Sequence, residues 1–258
     1  MNCLGLLLFS LYYVLMVRQP LAGDLTGIAW SLAGGVSLAV ASACFFIAMH
    51  RGPVGICSAI SGTYPAVTLL FALGVFHATV STRQIIGVIV VMIGVSIAAG
   101  THDSSVSGGS KSDAPQSSGL LAALLAACAW GVGYAMMAES VKLLGWQTAT
   151  LLQMAVIALC YIVAALFFAS LRRQRSSVAV ALKNPFILGA TITQLGGALL
   201  LNMGLGLDSS GGSVIVALSA CYPLLTIVLA RFYLHERLKP IALAGGVIGI
   251  AGILTLTL

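Results

Sequence analysis

Among the polar and aromatic side chains inside apolar stretches of this chain, eight are candidate solute contacts: Ser61, Tyr64, Trp130, Tyr134, Gln194, Asn202, Ser219 and Tyr222. Hydroxyls, amides and an indole N–H can donate or accept hydrogen bonds and stack, and none is charged near neutral pH. The chemistry open to them is recognition of a small solute, or hydrogen bonding between helices. Bond-breaking chemistry finds no support. His235-Glu236 has no second histidine at zincin spacing, Gly204-Leu205-Gly206 follows no strand and lacks a third glycine in place, and no P-loop occurs. No catalytic residue, metal or cofactor is expected.

Four of the eight belong to one repeated motif. Ser61-Gly62-Thr63-Tyr64-Pro65 returns 158 residues later as Ser219-Ala220-Cys221-Tyr222-Pro223, each time in the middle of an apolar run. Proline lacks an N–H and clashes with the preceding turn, so both runs are expected to kink or break there. A kink frees carbonyls beside the Ser and Tyr hydroxyls, and it either serves a binding site or only shapes the bundle. Gln194 and Asn202 lie eight residues apart, near one helix face, with Thr191 and Leu195 beside it. An amide facing lipid leaves donors unpaired, so both are expected to point inward, as solute contacts or as interhelical hydrogen bonds. Gln153 reads as structural. Trp130 and Tyr134 are four apart, on one face, and nearer the middle of their run than interfacial aromatics usually lie, which favours an inward position.

The elements that must position these residues are membrane helices. Of 258 residues, 60% are hydrophobic and 7% charged, and the mean hydropathy is +1.09. A soluble domain carries about a quarter charged residues, so water cannot cover this surface. The net charge of +6 is therefore no sign of nucleic-acid binding, because the twelve Lys and Arg lie between or at the ends of the apolar runs. Those runs span about 1–17, 26–49, 53–76, 82–100, 119–138, 146–169, 186–207, 211–234 and 240–258, nine candidate membrane helices. Met1 to Val17 lacks a basic leader and a small-residue cleavage site, so it is expected to be a mature span. Pro53 and Pro240 stand where a helix would begin. Residues 101–118, rich in Ser and Gly, read as a flexible linker. The six cysteines all fall in apolar segments and read as small packing residues.

The offset of 158 holds without gaps through three spans of each half. Ala59, Ser61, Tyr64, Pro65, Thr68, His77, Gly87 and Gly94 meet Ala217, Ser219, Tyr222, Pro223, Thr226, His235, Gly245 and Gly252. The expected fold class is thus an all-α polytopic membrane bundle of two repeats, residues 1–100 and 119–258. The repeat has five helices, and the first copy is expected to be short of its first one. Two five-helix copies in succession cross the membrane in opposite senses, a plan recurrent in secondary transporters.

The run Tyr222-Pro223-Leu224-Leu225-Thr226, then Leu234-His235-Glu236-Arg237-Leu238, then the glycine-rich last helix from Gly245 to Gly252 resembles the drug/metabolite transporter superfamily, in its EamA type. Glu236 keeps the family's acidic residue after the fourth helix, whereas the first half has Ala78 there. The resemblance implies ten helices in two inverted repeats, a substrate cavity between them, and a cavity-facing side for Trp130 and Tyr134. It implies a multi-pass cytoplasmic-membrane permease that moves a small organic metabolite or drug-like solute by alternating access. The competing expectation is a non-transporting truncated relic, or a subunit that completes another chain's bundle. The lipid bilayer and a small-molecule substrate are the expected partners, and the run Gly245, Gly249, Gly252 fits a homodimer as well as packing within the chain.

No charged residue lies at the centre of a span, and Glu139, beside Lys142, reads as a helix-end charge. His50, His77 and His235 stand at span ends and are not expected to carry protons. The loops alternate sides, and Arg51, Lys111, Arg172, Arg173, Arg175, Lys183, Arg231, Arg237 and Lys239 fall on one side against Arg18, Arg83 and Lys142 on the other. The positive-inside rule puts the first set in the cytoplasm and the C-terminus outside, whereas the resemblance places both termini inside. Reporter fusions at Ser110 and at the C-terminus decide between them. The charge rule expects a cytoplasmic signal at Ser110 and an external one at the C-terminus, and matching signals at both would overturn it.

Overall fold

A computed structural model describes residues 9–11, 13–14, 24–52, 54–100, 116–167, 185–207, 213–219 and 240–257, and every element among them is helical. In chain order these are α1 (Leu25–Arg51), α2 (Val54–Ser61), α3 (Tyr64–Val75), α4 (Thr82–Gly100), α5 (Gln116–Leu144), α6 (Trp146–Phe167), α7 (Pro185–Leu207), α8 (Ser213–Ser219) and α9 (Pro240–Thr257). Leu25–Arg51, Ser118–Leu144 and Trp146–Phe167 are long and apolar enough to cross a bilayer, with shorter apolar helices at Tyr64–Val75, Thr82–Ile97 and Ile192–Leu207. The expected spans 1–17 and 211–234 fall largely outside the described residues.

Three boundaries differ from the sequence reading for physical reasons. The run 53–76 is two helices, not one kinked helix. Pro65 stands in the first turn of α3, where a missing N–H costs no ladder bond. The run from Gly119 starts at Gln116 and continues past Glu139 to Leu144, because Gln, Ser, Glu and Lys are all tolerated in helix. Residues 116–118, expected in the linker, are thus helical, and 101–115 lie outside the described residues. Gly145 ends α5 in a left-handed conformation at φ 78°, its N–H turned back to Val141 O at 2.9 Å. Glu139 pairs with Lys142 at 3.0 Å, an exposed helix-surface contact. Pro240 does open α9.

Burial is inverted relative to a soluble protein. Along α5 the small Ala122, Ala123, Ala126 and Ala127 are buried while Leu121, Leu124 and Leu125 are exposed. Along α4, Ile86, Ile89 and Ile93 share an exposed face. Lipid is as apolar as leucine, so helices gain little by hiding large side chains and associate through close contact of small ones.

The chain forms two compact units, each drawn from both halves of the sequence. One comprises Met1–Ala39 and Met136–Ser209. Here Ser31 Oγ donates to Ala149 O at 3.1 Å, Ser140 Oγ to Gly27 O at 3.0 Å, and Tyr13 Oη meets Thr148 Oγ1 at 3.0 Å. The other comprises Val40–Ala135 and Ser210–Leu258. Its buried clusters are Leu69, Val88, Val91 and Val95, and Ala48, Cys57, Ala122 and Ala123.

In the second unit α4 and α9 touch backbone to backbone. A Cβ at Gly94 would overlap the amide nitrogen of Gly249 and lie 2.6 Å from its Cα and 2.7 Å from Gly245 O. A Cβ at Gly252 would lie 2.6 Å from the nitrogen of Val91. The two contacts exchange under the offset of 158, since Gly252 is the counterpart of Gly94 and Gly249 that of Val91. Reciprocal contacts of this kind mark a two-fold related pair of surfaces. Packing within the chain accounts for Gly245 and Gly249.

A Gly94→Ala substitution is therefore expected to cost about 1–3 kcal/mol, the range for overpacking a close contact. Gly74, in the last turn of α3, has nothing within 4 Å of an added Cβ. Gly74→Ala should leave stability unchanged or raise it by about 0.5–1 kcal/mol. Thermal unfolding of the purified protein in detergent checks both, and equal effects of the two substitutions would contradict the packing described.

Candidate functional site

The break between α2 and α3 is closed by short-range hydrogen bonds. Gly62 N–H donates to Ser58 O at 2.9 Å, and the Ser61 hydroxyl donates to the same carbonyl at 3.0 Å. Thr63 donates both its N–H, at 3.1 Å, and its hydroxyl, at 2.7 Å, to Ile60 O. These short returns satisfy Ser58 O and Ile60 O, two of the carbonyls in the last turn of α2 that would otherwise face the lipid. The Thr68 hydroxyl then lies 3.1 Å from both Tyr64 O and Gly131 O, sharing one hydrogen between α3 and α5. The approach depends on Gly131. A Cβ there would overlap Val67 Cβ and lie 2.8 Å from Tyr64 O.

The restart sets Tyr64 at the head of α3, with its side chain 4% exposed. Its ring lies 5.9 Å from Trp130 in an edge-on arrangement and 5.3 Å from Tyr134, both on α5, and Trp130 lies 5.0 Å from Phe45 of α1. Centroid separations of this size are favourable for aromatic pairs. Tyr64 Oη meets Ser219 Oγ, at the end of α8, at 2.8 Å. Ser219 donates its one hydrogen to Val216 O at 2.7 Å. Tyr64 is therefore the donor to Ser219.

Four of the eight residues singled out by sequence thus meet: Tyr64, Trp130, Tyr134 and Ser219. Ser61 is fully buried, and its hydroxyl bonds within α2 to Ser58 O, three residues back, just as Ser219 bonds to Val216. Tyr222 lies outside the described residues. Asn202 is 1% exposed and belongs to the other unit. Gln194 is exposed, contrary to its expected inward position. Eight residues advance about 80° beyond two full turns, enough to carry one of the two amides off the shared face.

Sequence reasoning missed Phe45, because the Phe45-Phe46 pair gives no sign of which ring turns inward. It also missed Thr150 and took Gln153 as structural. Asn202 Nδ2 donates to Thr150 Oγ1 at 2.9 Å and to Gln153 Oε1 at 3.0 Å. Two polar residues three apart on α6 were the available signal, since they share a helix face.

A bundle of apolar helices with small residues inside, large ones outside, and a neutral aromatic and hydroxyl cluster at a helix break is a multi-pass membrane protein. The chain matches the EamA-like transporter family over residues 1–100 and 117–258, and it belongs to that family. It is thus a transporter of the drug/metabolite class. No curated protein matches it in sequence. A crystal structure described only as that of a protein shares the fold with a TM-score of 0.60, at 16% identity over 99% of this chain and 94% of the other.

A double-mutant cycle on Tyr64→Phe and Ser219→Ala, read by thermal unfolding, is expected to give a coupling of about 0.6–1.7 kcal/mol, the range for hydrogen bonds between membrane helices. Strictly additive losses would mean that the bond contributes nothing.

Proposed function

We propose that this protein is a secondary transporter that moves a small organic solute across the cytoplasmic membrane by alternating access, with its two repeats, 1–100 and 119–258, running in opposite senses. The observation that carries this reading is the helix break at Gly62–Thr63. It sets a phenol from one half against a serine from the other, walled by Trp130 and Tyr134. Broken membrane helices occur where backbone and polar side chains line a solute path, because elsewhere lipid would leave their polar groups unpaired. The reciprocal Gly94–Gly249 and Gly252–Val91 contacts support the repeat arrangement.

In this reading the aromatic faces hold the solute by stacking and apolar contact, and the Tyr64 hydroxyl supplies a donor. Two states of the bundle differ in whether Tyr64 meets Ser219 or the solute. A solute shifts such an equilibrium only through contacts that differ between the states, and this hydroxyl is one.

Purified protein in liposomes, offered amino acids, nucleosides and cationic drugs, should take up at least one class, and uptake of none would sink the proposal. For a transported solute, Trp130→Ala should lower the uptake efficiency by roughly tenfold, the loss expected for removing an aromatic contact of about 1.4 kcal/mol. Tyr64→Phe should lower it less, because the ring remains.

A further inference from the structure

The buried amide of Asn202 is held in an orientation that leaves one polar atom over. The Thr150 hydroxyl gives its only hydrogen to Trp146 O at 2.5 Å. Toward Asn202 its oxygen can only accept, so the Asn202 atom facing it is the nitrogen. Both Nδ2 hydrogens are then taken, one by Thr150 Oγ1 at 2.9 Å and one by Gln153 Oε1 at 3.0 Å. Among the described residues Asn202 Oδ1 meets no donor, although the atom is fully buried. An unpaired amide oxygen is costly away from water, and the great majority of buried side-chain polar atoms have partners.

We infer that Asn202 Oδ1 is the acceptor of a solute-binding position, with Thr150 and Gln153 as the residues that hold the amide, and that it takes an O–H or N–H donor of an uncharged solute. The neutral class follows from the cluster itself. A hydroxyl and two amides carry no charge, and a cation buried against them would lose its hydration without a counter-charge. Thr150 and Gln153 lie four and seven residues beyond Trp146, about 6–10 Å along α6. Trp146 borders Gly206 of α7, whose added Cβ would lie 3.2 Å from Trp146 Cβ. The position is therefore one to two turns in from one end of α6. Asn202 is sealed here, so filling the position requires α6 and α7 to part. In that respect the inference rests on the alternating-access reading.

The test uses the full-length protein in detergent, with uridine, nicotinamide and benzyl alcohol as donor probes, each beside its fully O- or N-methylated counterpart, and choline as a charged probe. At least one neutral donor is expected to raise the unfolding temperature, and its methylated counterpart to need roughly tenfold more for the same shift. In Asn202→Leu the two members of the pair should become equivalent, and choline should shift neither protein. The wild-type pairs decide the matter alone where Asn202→Leu fails to fold. No shift by any neutral donor, equal potency of a donor and its methylated form, or preserved discrimination in Asn202→Leu overturns the assignment and leaves Oδ1 with water. Liposome uptake of the same probes separates the two readings. Uptake without donor discrimination defeats this site and leaves transport standing, whereas discriminating binding without uptake defeats transport and leaves the site.

Discussion

Pro65 cannot donate a backbone hydrogen bond, and inside a bilayer no water replaces the donor. An unpaired backbone group in hydrocarbon costs several kcal/mol, so the chain cannot run helix straight through Pro65 unless something else answers the open carbonyl. Its solution is to stop and restart. Ser61 and Thr63 close α2 with their own hydroxyls, and Pro65 becomes a first-turn residue of α3. Once α3 begins at Tyr64, that side chain stands at the head of a helix, at the end of α8 and against α5. The Thr68 bond to Gly131 O fixes the spacing of α3 and α5, and it forms only because position 131 has no Cβ. Proline, threonine and glycine at four positions thus determine where the tyrosine stands.

The same solvent explains what holds the helices. With lipid outside, burying Leu124 would gain nothing over leaving it exposed, whereas dispersion grows steeply as backbones approach. Glycine and alanine therefore occupy the closest contacts, and many large aliphatics, such as Leu121, Leu124 and Leu125 on α5 and Ile86, Ile89 and Ile93 on α4, face outward. The α4–α9 pair shows the economy of this arrangement. One local surface, duplicated, packs against its own counterpart, so Gly94 with Gly249 and Gly252 with Val91 are one contact written twice. A substitution in such a surface acts on a backbone contact, which no rotamer change can relieve.

Hydropathy made the helical class legible, because runs of apolar residues without charge have one stable form in lipid. The offset of 158 exposed the repeat, since the Tyr-Pro pair and the glycines are under geometric demands that few other residues meet. What sequence could not supply was rotation about the helix axis. In soluble helices a polar face points to water and the phase can be read, but here nearly every position is apolar and the phase rests on one or two polar residues. Trp130 and Tyr134, four apart, kept their common face, whereas Gln194 and Asn202, eight apart, did not. Phe45 and Phe46 differ in nothing the sequence records. At Gly62 the sequence left a kink and a break both open, because whether a proline bends a helix or starts one depends on whether Ser and Thr beside it can cap the preceding end.

The described side chains that meet around Tyr64 and around Asn202 are neutral, and this bears on how tightly each cluster is held. A buried ion pair broken at one partner costs about 3–5 kcal/mol, which would hold a bundle in one state. A hydrogen bond between membrane helices contributes only about 0.6 kcal/mol on average. The Tyr64–Ser219 bond is of this weak kind, and Ser219 keeps its own tie to Val216 O whether or not Tyr64 is present. Asn202 differs in that its donors are committed and its acceptor is open, so a solute donor there adds a bond without breaking one. On the proposed alternating-access reading, one arrangement suits a contact made and released between states, the other a contact that stabilises whichever state admits the solute. Both functions need bonds weak enough for thermal motion to exchange them, and that is what hydroxyls and amides supply where carboxylates and ammonium groups would not.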